Sequence, residues 1–209
     1  MKLVFFAASN PETARMVQSI RRVQPDLEVL GFIDNDPKKK GTTFLGWPVF
    51  GGFEVLADHV RDDVRFLNLH TGSTRVRYET SRHMAEAGCR FANLVHPSVD
   101  LAMTTLGDNS SVHIGAMIGH ETRIGNSVFI AHACSVSGLV EISDGVFMGT
   151  NATVLPRVKI GRWATIGAGS VVLKDVPDFA TVVGNPGRVV RVDTAPPHAD
   201  GDIFKGLKR

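Results

Sequence analysis

The chain has 209 residues, with 23 Lys plus Arg against 21 Asp plus Glu, and 43% of its residues are hydrophobic. That balance belongs to an ordinary soluble globular protein long enough for one or two domains with a real core. A net charge of +2 gives no field of the strength that nucleic acid demands, and two cysteines, Cys89 and Cys134, make no disulfide framework and suit a reducing cytoplasm.

The opening "MKLVFFAASN" has a lysine and an apolar run too short for a signal peptide, and "NPETARMV" follows it as a helix start. No segment has the length of apolar residues that crosses a membrane. Up to about residue 95, strand-like and helix-like stretches alternate. "KLVFFAA", "LEVLGFID", "VRFLNL" and "RFANLV" are short and rich in β-branched and aromatic residues, as strands are. After the first strand, Asn10 is placed to cap a helix with Pro11 at its first position, and Met16, Val17, Ile20 and Val23 form its apolar face. A second helix is expected from Ser73 to about Ala87, stopped by Gly88. Strands alternating with helices predict a parallel α/β domain over residues 1–95. The basic stretch "PKKKG" at 37–41 reads as a solvated loop.

From Leu106 the period changes to six. The hexads run LGDNSS VHIGAM IGHETR IGNSVF IAHACS VSGLVE ISDGVF MGTNAT VLPRVK IGRWAT IGAGSV VLKDVP. The first position is aliphatic in all twelve, which chance gives on the order of 10⁻⁷ if about a quarter of residues are of that kind. The fifth position is always small or β-branched, and glycine dominates the second. This is the hexapeptide repeat of a parallel β-helix, in which three hexads close one eighteen-residue turn of a triangular coil, of the left-handed kind that departs from the usual right-handed crossover. Cys134 occupies a fifth position, so it is expected as a small packed residue and not as a nucleophile. Third positions face outward, where a lone histidine is usually only solvated; His96 and His113 are expected to be structural or surface residues.

The hexads preceded by an α/β domain, with "GFIDNDP" at 31–37, "HPS" at 96–98, "GHETRIG" at 119–125 and the tail "VVGNPGRVVR" at 182–191, resemble the bacterial nucleotide-sugar acetyltransferases of the left-handed β-helix class. That family includes sialic acid O-acetyltransferases and 4-amino-sugar N-acetyltransferases. The resemblance implies a Rossmann-like nucleotide-sugar domain at 1–95, an acyltransferase β-helix at 96–192, a C-terminal tail at 193–209, a homotrimer, and a cytoplasmic location. It implies acetyl-CoA as co-substrate, a UDP-, dTDP- or GDP-linked amino sugar as acceptor, and no metal.

By the same resemblance His120 is the catalytic base, Glu121 the carboxylate that supports it, and Gly138 the glycine whose N–H steadies the thioester carbonyl. Thr150 and Ala168 match backbone contacts to acetyl-CoA. Asp34 and Asn35 match an acidic pair at the nucleotide, with Ser9, Asn10, Pro11 and His70 on its other contact positions. Two departures stand out. The family's glycine-rich first loop is Ala7-Ala8-Ser9-Asn10-Pro11 here, and a family histidine that contacts acetyl-CoA falls on Phe129. His132, eighteen residues before Thr150, could take that histidine's place. A zinc carbonic anhydrase, which shares the β-helix, is disfavoured because it needs an H-x4-H pair that His113, His120 and His132 do not supply.

Overall fold

The computed structural model describes residues 1–195; most of the expected tail at 193–209 lies outside the described residues. Five strands build the N-terminal sheet: β1 (Lys2–Phe6), β2 (Glu28–Ile33), β3 (Thr43–Phe44), β4 (Trp47–Gly51) and β5 (Val64–Asn68), in the order β3-β4-β2-β1-β5. All neighbours are parallel except the β3–β4 hairpin. Side chains alternate across β1 as a strand's period of two dictates. Leu3 and Phe5 pack under helix α1 (Glu12–Arg21), with Met16, Val17 and Ile20. Val4 and Phe6 pack on the opposite face with Leu56 and with Met84 of helix α2 (Thr74–Glu86). The result is a sheet between two helical layers.

Both helices lie close to expectation, and each difference has a local cause. Asn10 Oδ1 accepts from Glu12 N at 3.0 Å, so Asn10 caps α1 from one residue earlier than the helix boundary, and Pro11 takes the boundary position. Val23 is exposed because α1 ends at Arg21, and Thr13 replaces it on the buried face. At α2, Ser73 Oγ accepts from Val76 N at 3.3 Å, and Gly88 adopts φ +83° just past the end. "RFANLV" contributes only β6, Leu94–Val95, which already pairs with Ser111–Val112 of the coil.

The coil is a parallel β-helix of two-residue strands on three faces. One face stacks Thr105–Leu106, Arg123–Ile124, Glu141–Ile142 and Lys159–Ile160. A second stacks Met117–Ile118, Ser135–Val136, Thr153–Val154 and Val171–Val172. The third runs from β6 through Ser111–Val112, Phe129–Ile130, Phe147–Met148 and Thr165–Ile166 to a closing hairpin, Ala180–Val183 with Arg188–Val192. From Thr105 to Val172 the paired strands are eighteen residues apart, as Met117 with Ser135 and Phe129 with Phe147, while the offset shortens to seventeen where β6 joins and to sixteen at the closing hairpin. First-position residues from Val112 to Val172 fill the centre together with every fifth-position residue. Cys134 is among the latter, fully buried, its thiol pushed up to about 11 by burial, which is the inert packed residue expected. The repeats and parallel sheets fit the left-handed class.

The N-terminal domain docks on the third face. Asn68 N donates to Asn109 Oδ1 at 2.8 Å, and Asn109 Nδ2 reaches Ser127 Oγ at 2.6 Å and Ser81 Oγ at 3.1 Å. Arg77 of α2, fully buried, donates to the Gly145 carbonyl. Burial pulls its guanidinium down to about 9. Tyr78 meets Trp163 edge-on at 5.0 Å. Among the described residues no helix is long and apolar enough to cross a membrane.

Candidate active site

At the edge between the first and second faces, the coil brings His120 and Gly138 together one turn apart. A Cβ added to Gly138 would lie 2.6 Å from His120 Nε2, so the imidazole occupies the space that a side chain would claim. His120 Nδ1 lies 3.3 Å from Glu121 Oε1. Both side chains are open, 62% and 57% exposed. The carboxylate engages Nδ1, which leaves Nε2 facing the glycine. Glu121 has φ +56°, but so do most fourth positions of the hexads, from Asn109 to Trp163. The corner geometry of the coil requires it, and the site inherits it.

The Gly138 N–H donates to no acceptor among the described residues, and the same holds for Thr150 and Ala168. The contrast with another edge is informative. There the third-position amides are closed by side chains from the next turn: Asp108 N donates to Asn126 Oδ1 (2.8 Å), Asn126 N to Asp144 Oδ1 (2.7 Å) and Arg162 N to Asp178 Oδ1 (2.7 Å). Those three amides are closed, whereas on the edges of His120 and of His132 the amides of Gly138, Thr150 and Ala168 stay open among the described residues. Gly119 keeps the first of these open, since a Cβ there would sit 2.4 Å from Gly138 N. In the sequence the second-position glycines are simply part of the repeat; in space Gly119 and Gly149 clear the amides of Gly138 and Ala168 one turn on.

A cleft of about 300 Å³ beside Glu121 is lined by Met103, Thr105, Arg123, Leu139 and Glu141. The histidine-to-phenylalanine departure is buried: Phe129 is 5% exposed, 4.6 Å from the His113 ring and 5.4 Å from Phe147. His132 turns its ring to the domain seam, with Nε2 3.2 Å from Glu12 Oε1.

In the N-terminal domain, the residues expected at a nucleotide gather at the C-terminal ends of β1, β2 and β5. Crevices of this kind, where a chain departs to either side of a central strand, are where open α/β sheets bind ligands. Asp34 is largely committed to the protein. Its Oδ2 accepts from Ala8 N and Lys39 Nζ, both at 2.8 Å, and Oδ1 accepts from Asp36 N at 2.9 Å. Burial alone would raise its pKa; those hydrogen bonds outweigh burial and hold it below the usual range. Asn35 Oδ1 accepts from Phe53 N at 3.0 Å. Burial, and then the Arg77 charge, keep the His70 imidazole below its usual pKa. Lys39 belongs to the basic stretch expected as a solvated loop, yet it folds back onto Asp34 and onto the Ala8 carbonyl at 3.1 Å. Only its position five residues past an acidic strand end hinted at this. Ala7 takes φ +76°, the conformation for which glycine is the natural residue, and Ser9, Asn10 and Pro11 follow it out of the loop.

Residues 140–174 match the model of the bacterial transferase hexapeptide family (six repeats). The chain is 33% identical over 159 residues to a serine acetyltransferase of Bacillus pumilus, covering 67% of this chain and 72% of that protein. It is 40% identical over 100 residues to the putative acetyltransferase YvoF of Bacillus subtilis, covering 48% and 55%. It spans 59% of the Bacillus licheniformis serine acetyltransferase. Among solved structures, PerB of Caulobacter crescentus, in complex with CoA and GDP-perosamine, superposes with a TM-score of 0.69 at 24% identity, covering 90% of this chain and 97% of that one. The acetyltransferase domain of PglB from Neisseria gonorrhoeae, in complex with acetyl coenzyme A, gives 0.68 at 22% identity, covering 90% and 98%. An eighteen-residue coil, a histidine–glutamate pair over an open amide, and these relatives lead to one statement: the chain belongs to the hexapeptide-repeat acetyltransferase family.

Proposed function

We propose that the protein transfers an acetyl group from acetyl-CoA to the amino group of a nucleotide-linked amino sugar, a step in the cytoplasmic synthesis of surface-glycan precursors. One observation carries the reading: a base nitrogen and an unpartnered amide N–H lie one coil turn apart, at His120 and Gly138. Acyl transfer needs that pair, one group for the proton and one for the developing oxyanion. The sugar amine attacks the thioester carbonyl while His120 Nε2 takes the amine proton. The Gly138 N–H meets the oxyanion, which collapses to expel the CoA thiolate. Glu121 holds the Nδ1–H and so the tautomer. General-base help of this kind contributes roughly 10²–10⁴-fold. The pantetheine arm follows the open edge of His132, Thr150 and Ala168.

The nucleotide belongs to the Rossmann-like crevice of Ser9, Asn10, Pro11, Asp34, Asn35 and His70. That crevice is on the domain docked at the third face, while His120 lies on the edge between the other two. A single chain thus keeps acceptor and base apart, and a homotrimer that sets each N-terminal domain beside a neighbour's His120 joins them. Met117 and Leu173, exposed on and beside the second face, supply apolar surface for it.

The 33% identity to a serine acetyltransferase supports a second reading, transfer to a hydroxyl, which the same base could activate. A panel of UDP-, dTDP- and GDP-amino sugars, their hydroxyl analogues and L-serine, assayed with acetyl-CoA, tests both. Turnover of amino sugars that His120→Ala abolishes is expected. Turnover of serine alone would replace the proposal, and none with any acceptor would leave a β-helix binding protein. Light scattering that shows a monomer would overturn the shared site.

A further inference from the structure

At the seam between α1 and the β-helix, away from His120, three side chains converge; Glu12 and His113 take no part in the proposed transfer, and His132 lies on the edge assigned to the pantetheine arm. Glu12 comes from the first turn of α1, His113 from the third face and His132 from the adjoining edge. One ligand atom of each lies within 4.8 Å of the other two. His132 Nε2 is 3.2 Å from Glu12 Oε1, and the two imidazole rings are 4.9 Å apart at 63°.

The cluster is under-satisfied as a purely protein arrangement. Among the described residues three buried side-chain nitrogen or oxygen atoms lack a hydrogen-bond partner, and two of them are Glu12 Oε1 and His113 Nδ1. Buried polar atoms are normally paired, so two orphans in one cluster point to a missing partner. His113 is 2% exposed, and its Nε2 is held by Ser111 Oγ at 3.1 Å. With Nε2–H donating to that hydroxyl oxygen, the tautomer that ligating histidines adopt, Nδ1 presents its lone pair. In that tautomer one partner that accepts electron pairs from both the imidazole and the carboxylate serves both orphans, as a cation does. A proton shared between His132 and Glu12 would satisfy the glutamate and leave His113 Nδ1 orphaned.

We propose that Glu12, His113 and His132 bind a divalent transition metal of the zinc class, which clamps the N-terminal domain onto the coil. Two imidazoles and one carboxylate suit zinc, cobalt or iron, whereas magnesium and calcium prefer all-oxygen shells. Three protein ligands leave a position for water. Two neighbouring groups bear on the site. Arg15 Nε lies 3.7 Å from Glu12 Oε1, but its side chain is largely exposed and can swing away. His96 is near enough to lower the His113 pKa, though its Nδ1 is engaged with Ser98 Oγ at 2.7 Å.

The test uses the full chain, stripped with chelator and then titrated with Co²⁺ and with Zn²⁺. We expect one equivalent of Co²⁺ per chain with visible d–d bands, displaced by Zn²⁺, and a melting temperature that rises with Zn²⁺ and falls back with chelator. Because His113→Ala can fail for want of packing, the deciding variants are Glu12→Gln and His132→Ala, at partly exposed positions. Each should weaken Co²⁺ binding at least tenfold in chains that still melt cooperatively. Absence of stoichiometric Co²⁺ binding in the native chain, or binding that both variants retain unchanged, would overturn the proposal.

Discussion

Gly138→Ala isolates the geometry of the base from the chemistry of the amide. The substitution keeps the Gly138 N–H and, because this glycine does not have a positive φ, places no strain on the backbone. What it adds is a Cβ at 2.6 Å from His120 Nε2, 2.9 Å from Cδ2 and 3.0 Å from Cε1. Ordinary contact begins at 3.4 Å, so the ring must retreat by up to about 0.8 Å (3.4 less 2.6). His120 is 62% exposed, so the retreat costs little stability, and the melting temperature should stay within a few degrees of the parent's. Catalysis is less forgiving: a misplacement of about 1 Å can cost 10²-fold, or about 2.7 kcal/mol of transition-state stabilisation. Steady-state kinetics should therefore show kcat/KM down by about two orders of magnitude in a chain that melts normally. The double variant with His120→Ala should be no slower than His120→Ala alone, since the added methyl acts only through the ring. A Gly138→Ala enzyme within twofold of the parent would refute the reasoning, because the imidazole could not then be working from the place it occupies.

Three further outcomes follow from other contacts. Glu121→Gln should lower kcat less than tenfold, with the difference shrinking at high salt, because an exposed pair is worth only about 0–1 kcal/mol; kinetics across a salt series reads it. Ala7→Gly should stabilise the chain by up to about 1 kcal/mol, since φ +76° costs alanine what it does not cost glycine, and denaturant melts measure it. His113, lowered by burial from 6.5 to about 4, stays neutral in the fold while the unfolded chain takes up a proton below 6.5. The unfolded state then binds more protons, so stability falls as pH drops from about 6.5 to about 4, by at most on the order of 3 kcal/mol. Melting curves recorded with chelator should show that slope in the parent and lose it in His113→Gln.

The coil was legible because sterics fix it at every turn. Aliphatic first positions and small fifth positions can be satisfied only in one register, and that register sets His120 against Gly138. Helix ends were legible where a single residue decides them, as Ser73 and Gly88 do. What stayed hidden depends on how the two domains dock. No local pattern tells that Glu12 of α1 meets His132, or that Arg77 reaches Gly145. Lys39 misled for a related reason: a lysine in a basic run usually prefers water, but here a buried carboxylate five residues earlier offers it a better partner.

The eighteen-residue register has a consequence for how such a chain can change length. Adding one hexad between His120 and Gly138 would rotate everything after it by one face, carrying the open amide to a different edge from its histidine. Losing one hexad would do the same in the other sense. Only a full turn restores alignment, and a turn inserted there would put another strand between the two groups. Growth is therefore confined to the ends of the coil, where nearest-neighbour stacking simply continues, or to loops thrown out at the corners without altering the count of stacked strands. The turn from 120 to 138 is a fixed length in a protein whose architecture is otherwise extendable.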